Sequence, residues 1–91
     1  MVTAIVLLRV ERKLVNQIAK KISEIEGVSE VYSVSGNYDL VSIIRTKSNE
    51  MLSDIVTNKM LQIEGITASK TMLAFKCFSQ FELESMFDIG N

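Results

Sequence analysis

The chain repeats itself. At a constant offset of 38 residues, Leu14, Ile18, Ile22 and Ile25 map onto Leu52, Val56, Met60 and Ile63. Glu26-Gly27-Val28 maps onto Glu64-Gly65-Ile66, and Ile5-Val6 onto Ile43-Ile44. One offset therefore aligns strand core, helix stripe and helix stop, and the chain reads as two copies of a single structural unit.

Each copy reads as strand, helix, strand. Residues 2–10 are apolar and β-rich. Residues 12–25 switch to helical spacing, with Leu14, Ile18, Ile22 and Ile25 on one stripe and Lys13, Gln17, Lys20, Lys21 and Glu24 mostly away from it. Gly27 suits the left-handed position that ends a helix. Val28 to Ser35 forms the second strand, Gly36-Asn37 a turn, and Leu40 to Thr46 the third strand. Ser48 is a helix N-cap, because its hydroxyl can accept from an unpaired helix amide. Leu52, Ile55, Val56, Met60 and Ile63 form the second stripe, and Gly65 repeats the stop. Residues 66–78 read as a fourth, longer strand.

Two βαβ units joined by a tight turn predict an α+β, ferredoxin-like βαββαβ domain over residues 1–78. Right-handed crossovers place strands 1 and 3 at the centre and strands 2 and 4 at the edges, in the order 4-1-3-2, with both helices on one face. A sheet face left to water should alternate apolar and polar residues. Here Ala4, Val6 and Leu8 oppose Ile5 and Leu7, and Leu40 and Ile44 oppose Val41 and Ile43. Both faces of the central strands are apolar, so the sequence predicts a homodimer that stacks sheet on sheet. Residues 79–91 lie outside the repeat. Phe81, Leu83, Met86 and Phe87 alternate with Glu82, Glu84 and Asp88. They read as a tail packing on its own subunit or on a neighbouring one.

Composition removes several function classes. The chain has 91 residues, enough for one domain, and 47% are hydrophobic, so a core can form. Ten basic residues are scattered among eleven acidic ones, for a net charge of −1. Phosphate neutralisation needs a basic stripe, so no direct nucleic-acid binding is expected. Histidine is absent, which removes the commonest general base and metal ligand. A single cysteine, Cys77, allows neither an internal disulfide nor a paired-thiol metal site. Neither a metal nor a cofactor is expected, and a catalytic role is disfavoured. The apolar run Val2 to Leu8 is short and is interrupted by Arg9, so it reads as a strand rather than a signal peptide or membrane span. A reducing, cytoplasmic setting follows from the cysteine usage.

Few residues carry recognisable chemistry. The glutamates are spaced for solvated surface rather than acid–base pairing. Cys77, flanked by Phe75 and Phe78, reads as a small hydrophobe. The segment Ser35-Gly36-Asn37-Tyr38-Asp39 stands apart. Gly36 and Asn37 tolerate positive φ and can turn backbone amides outward towards an anion. Tyr38 offers a flat apolar surface, and Asp39 a charge for an ammonium group. Together they suit an amino-acid zwitterion. The same residues also make an ordinary hairpin, with Asp39 satisfying backbone amides.

The runs Glu26-Gly27-Val28-Ser29-Glu30-Val31, Ser35-Gly36-Asn37-Tyr38-Asp39-Leu40 and Ile63-Glu64-Gly65-Ile66, the last followed by Thr71, resemble the effector-binding domain of the Lrp/AsnC regulators. The resemblance spans about residues 2–78. It implies a βαββαβ domain that dimerises through its sheets and assembles into rings, often octamers or decamers. It also implies amino-acid binding at contacts between dimers, with Gly36, Asn37, Tyr38 and Asp39 on one side and Ser69 and Thr71 on the other. Full-length regulators carry a helix-turn-helix domain before strand 1. Here strand 1 begins at residue 2, which resembles the form without the DNA reader, able to co-assemble with a full-length relative. The family's frequent Pro-Gly before helix 1 is replaced by Glu11-Arg12. Two other readings use the same fold: an ACT-like regulatory domain, and a small dimeric α/β-barrel enzyme.

Overall fold

The computed structural model describes residues 1–80. The elements run β1 (Val2–Val10), a 3-10 turn (Arg12–Leu14), α1 (Val15–Ser23), β2 (Val28–Ser33), β3 (Leu40–Thr46), α2 (Asn49–Asp54) continuing as a π turn (Ile55–Met60), and β4 (Ile66–Leu73). The four strands form one antiparallel sheet in the order β2-β3-β1-β4. This is the expected ferredoxin-like topology, read from the opposite edge.

The core fills one side of the sheet. Ala4, Val6, Leu8 and Val10 of β1 and Leu40 and Ile44 of β3 are buried against Ile18 and Ile22 of α1 and Leu52, Ile55 and Met60 of the second helix. Ser42, also fully buried, donates from its hydroxyl to the Met60 sulfur at 3.9 Å. Every buried side-chain nitrogen and oxygen among the described residues has a partner, as a well-formed interior requires.

The helix stops pack across the two halves. Gly27 and Gly65 hold φ of 99° and 102°, where a side chain is strained. A Cβ on Gly27 would lie 2.5 Å from Ile55 Cδ1, and one on Gly65 would lie 2.8 Å from Ile18 Cδ1 and 2.9 Å from Leu14 Cδ1. Each glycine thus seats the apolar stripe of the helix in the other repeat. The backbone adds matching ties: Arg45 N–H donates to the Gly27 carbonyl at 2.9 Å, and Glu11 N–H donates to the Gly65 carbonyl at 2.8 Å.

Several boundaries depart from the sequence reading. The first helix opens with a 3-10 turn, because Glu11 makes no side-chain cap. The second is capped as expected, with Ser48 Oγ accepting from Met51 N–H at 3.2 Å. It then widens: Leu61 N–H donates to the Val56 carbonyl five residues back at 2.9 Å. That wider turn buries both Ile55 and Met60, which α spacing would set well apart around the helix. Strand β2 stops at Ser33, opposite Leu40, so a six-residue loop replaces the tight turn. Strand β4 ends at Leu73 rather than residue 78. Just beyond it, Ala74 N–H donates to the Thr3 carbonyl of β1 at 2.9 Å. Of the tail expected over 79–91, residues 81–91 lie outside the described residues.

The helix-free face carries Ile5 and Leu7 from β1 and Val41 and Ile43 from β3, all half-buried, with Met72 from β4 beside them. Thr3, Arg9, Arg45, Lys70, Glu30 and Tyr32 ring this patch. No helix among the described residues is long and apolar enough to cross a membrane.

Candidate functional site

The loop between β2 and β3 is tied to the end of β1 by a set of directed contacts. Val34 N–H donates to the Asp39 carbonyl at 3.0 Å and closes the loop. Asp39 N–H donates to the Leu8 carbonyl at 2.8 Å. The Asp39 carboxylate accepts from Val10 N–H at 2.9 Å through Oδ2. Val10 lies past the end of the β1–β3 ladder, whose last pair is Leu8 and Leu40, so the Asp39 side chain takes the place of a strand partner.

Arg9 completes the arrangement. Its Nε donates to the Asn37 carbonyl at 2.8 Å, and its guanidinium carbon lies 5.3 Å from the centre of the Tyr38 ring. Cation–π attraction operates at that distance. Its two terminal amino groups remain as donors for an incoming anion. Sequence reasoning alone misses Arg9 as a site residue. Its only signal is a single charge ending an otherwise apolar strand, which reads as an interruption of that strand.

The loop itself conforms in part to expectation. Gly36 has φ of 109°, and a Cβ there would meet nothing within 4 Å. The glycine is needed for its backbone angle and not for space. Asn37 does not share that conformation, since only glycines have positive φ among the described residues. Gly36 and Asn37 are exposed, whereas Tyr38 and Asp39 are half-buried. One corner therefore combines a guanidinium, a carboxylate with one oxygen still open, an aromatic face and a glycine-bearing loop.

Ser69 and Thr71 stand elsewhere. They lie on β4, opposite Leu8 and Val6 of β1, and so share the helix-side face of the sheet. Thr71 lines a groove of about 320 Å3 between β4 and the second helix, with Leu52, Val56, Thr57 and Leu73. Two strand spacings, about 10 Å, separate β4 from β3, where the loop is rooted. Within one subunit the structure unites the four loop residues and leaves the two hydroxyls apart from them. Among the described residues, no three His, Cys, Asp or Glu side chains converge as metal ligands. Cys77 is exposed on the segment after β4.

Known proteins agree with this fold. Residues 3–82 match the family described as the Lrp/AsnC ligand binding domain. The helix-turn-helix transcriptional regulator FL11 of Pyrococcus furiosus is 32% identical over 75 residues, covering 82% of this chain and 49% of its own. The chain thus spans about half the length of that relative. Among solved structures, TTHA0845 from Thermus thermophilus superposes with a TM-score of 0.82 at 42% identity, over 88% of this chain and 100% of that one. The hypothetical protein PHS023 from Pyrococcus horikoshii gives a TM-score of 0.79 at 28% identity, over 85% and 93% of the two chains. A match across most of its length, on the fold that its own internal repeat implies, makes this chain a member of the Lrp/AsnC family, carrying that family's ligand-binding domain.

Proposed function

We propose that the chain senses an amino acid at a shared crevice between subunits and passes that signal on through its assembly state. It acts on transcription or amino-acid metabolism without touching DNA itself. The observation that carries this reading is the corner at the end of β1. There Arg9 can meet a carboxylate and Asp39 can still offer one oxygen to an ammonium group, about an exposed loop with Gly36 at its turn. A zwitterion needs both charges within a few ångströms.

The apolar helix-free face supports the sheet-on-sheet homodimer. At roughly 25 cal/mol per Å2 of apolar surface, its burial stabilises a small domain substantially. Since Ser69 and Thr71 lie apart from the loop in one subunit, their role in the site requires a neighbouring copy. That arrangement fits a larger ring of dimers, an octamer or decamer, and leaves room for mixed assembly with a full-length regulator of the family.

Thermal unfolding in the presence of each of the twenty amino acids tests the proposal. A ligand that binds only the folded state raises its stability. Selective stabilisation by one or a few amino acids is expected, lost in Arg9→Gln and in Asp39→Asn. A uniform absence of stabilisation overturns the sensing role and leaves an assembly domain. One observation favours that second reading: the Asp39 carboxylate is already bound to the Val10 amide.

A further inference from the structure

The two repeats treat their edge strands differently. On the helix side of the sheet, α1 covers β2, and Val28 and Val31 pack against the core. The matching face of β4 carries Leu73, Thr71 and Ser69, opposite Ala4, Val6 and Leu8 of β1. Those three β1 residues are fully buried, yet Leu73 is 52% exposed, and Thr71 and Ser69 are exposed as well. The second helix stops short of β4 and leaves between them the groove of about 320 Å3. Leu52, Val56 and Leu73 give that groove apolar walls, Thr57 and Thr71 line its polar side, and no charged side chain borders it. The outer edge of β4 has no strand partner among the described residues, and natural sheets commonly cover such an edge.

We infer that the groove is the seat of this chain's own residues 81–91, with Phe87 and Ile89 packed against Leu52, Val56 and Leu73. Reach permits this whatever path the intervening residues take. Residue 80 lies seven steps beyond Leu73, at most about 25 Å away in fully extended chain. The next seven residues, to Phe87, can recross that distance. Composition fits as well. Residues 81–91 hold Phe81, Leu83, Met86, Phe87 and Ile89, with Glu82, Glu84 and Asp88 among them and no basic residue. Such a segment can lay apolar side chains into an uncharged groove and keep its carboxylates in water. The tether favours the same chain over a second copy, because a short linker holds the segment at about millimolar effective concentration.

The family match ends at residue 82, so the seated residues add to the shared domain and are not part of it. Seating covers Thr71, so a ligand that uses that hydroxyl from a neighbouring copy must first displace the segment.

The test uses the full chain throughout. p-Benzoylphenylalanine replaces Phe87, and unlabelled and 15N-labelled chains are unfolded together, refolded and irradiated, with every crosslink mapped by peptide mass. Crosslinks within one chain to residues 49–57 or 71–73 are expected. Crosslinks that join a labelled to an unlabelled chain place the segment on a neighbour and overturn the inference, as do crosslinks within one chain to any other element. A second measurement reads solvent access. In Thr71→Cys, alkylation of the new thiol by iodoacetamide is followed by peptide mass, separately from Cys77. A seat filled about nine-tenths of the time slows that alkylation about tenfold against the same variant carrying Phe87→Ser/Ile89→Ser. Equal rates overturn the seat. Neither readout involves an amino-acid ligand, so the outcome is independent of the sensing proposal.

Discussion

Replacing Gly27 by alanine should unfold the domain more readily than the same change at Gly36, although both glycines hold a positive φ. At Gly36, φ is 109° and a Cβ meets open space. The cost there is the backbone term alone, about 1–2 kcal/mol for a side chain in the left-handed region. At Gly27, φ is 99° and the new Cβ falls 2.5 Å from Ile55 Cδ1. Ile55 is only 3% exposed, so its terminal methyl can yield only by displacing the core. Overpacking of that kind adds about 1–3 kcal/mol. The loss of unfolded-state freedom on replacing glycine is common to both variants and cancels in the comparison. Gly27→Ala should thus cost about 2 kcal/mol more than Gly36→Ala. For a domain of this size, that separates the thermal midpoints by some 8–16 °C. The assay is thermal and urea denaturation at one fixed protein concentration, because self-association also contributes to apparent stability. Ile55→Val supplies the control. It removes the clashing methyl and costs about 0.5–1.5 kcal/mol alone. In the Gly27→Ala background it should cost about 1 kcal/mol less or recover stability, since the two changes meet at one contact. Equal destabilisation at Gly27 and Gly36, or strict additivity with Ile55→Val, would refute the reasoning.

Two further outcomes follow from polar contacts. Asp39→Ala leaves the Val10 amide without its acceptor and should cost about 1–3 kcal/mol in urea denaturation, whereas Asp39→Asn keeps an oxygen in place and should recover most of that. Equal losses in the two variants would show that the carboxylate does not serve the backbone. Tyr32 donates from its hydroxyl to the Glu30 carboxylate, and that bond, with the nearby negative charge, holds its pKa above the ordinary 10.0. A raised value favours the neutral phenol in the folded state. The stabilisation is therefore in place below pH 10 and fades as the pH climbs through the raised value. In a Tyr38→Phe background a single phenol titrates, and Glu30→Gln should lower its phenolate absorbance midpoint. An unchanged midpoint contradicts the assignment.

The fold is legible along the chain, because that information is local and periodic. The 38-residue repeat, the two helix stripes, the Ser48 cap and the glycine stops are patterns of neighbours along the chain. They were enough to specify strand order and the apolar helix-free face. The loop from Gly36 to Asp39 was also legible as a candidate site, because turn chemistry is local.

Tertiary structure alone decided how that site is built and where the elements end. Arg9 and Val10 reach the loop from 28 and 29 residues away, past the end of the β1–β3 ladder, and no local pattern announces that contact. The seating of each stop glycine against the opposite helix is a contact between repeats, invisible within either one. Strand β4 ends at Leu73, the partner of Ala4 at the last step of its ladder with β1, although its sequence stays β-prone through residue 78. A strand's length is a property of two strands, and propensity in one cannot supply hydrogen-bond partners from the other.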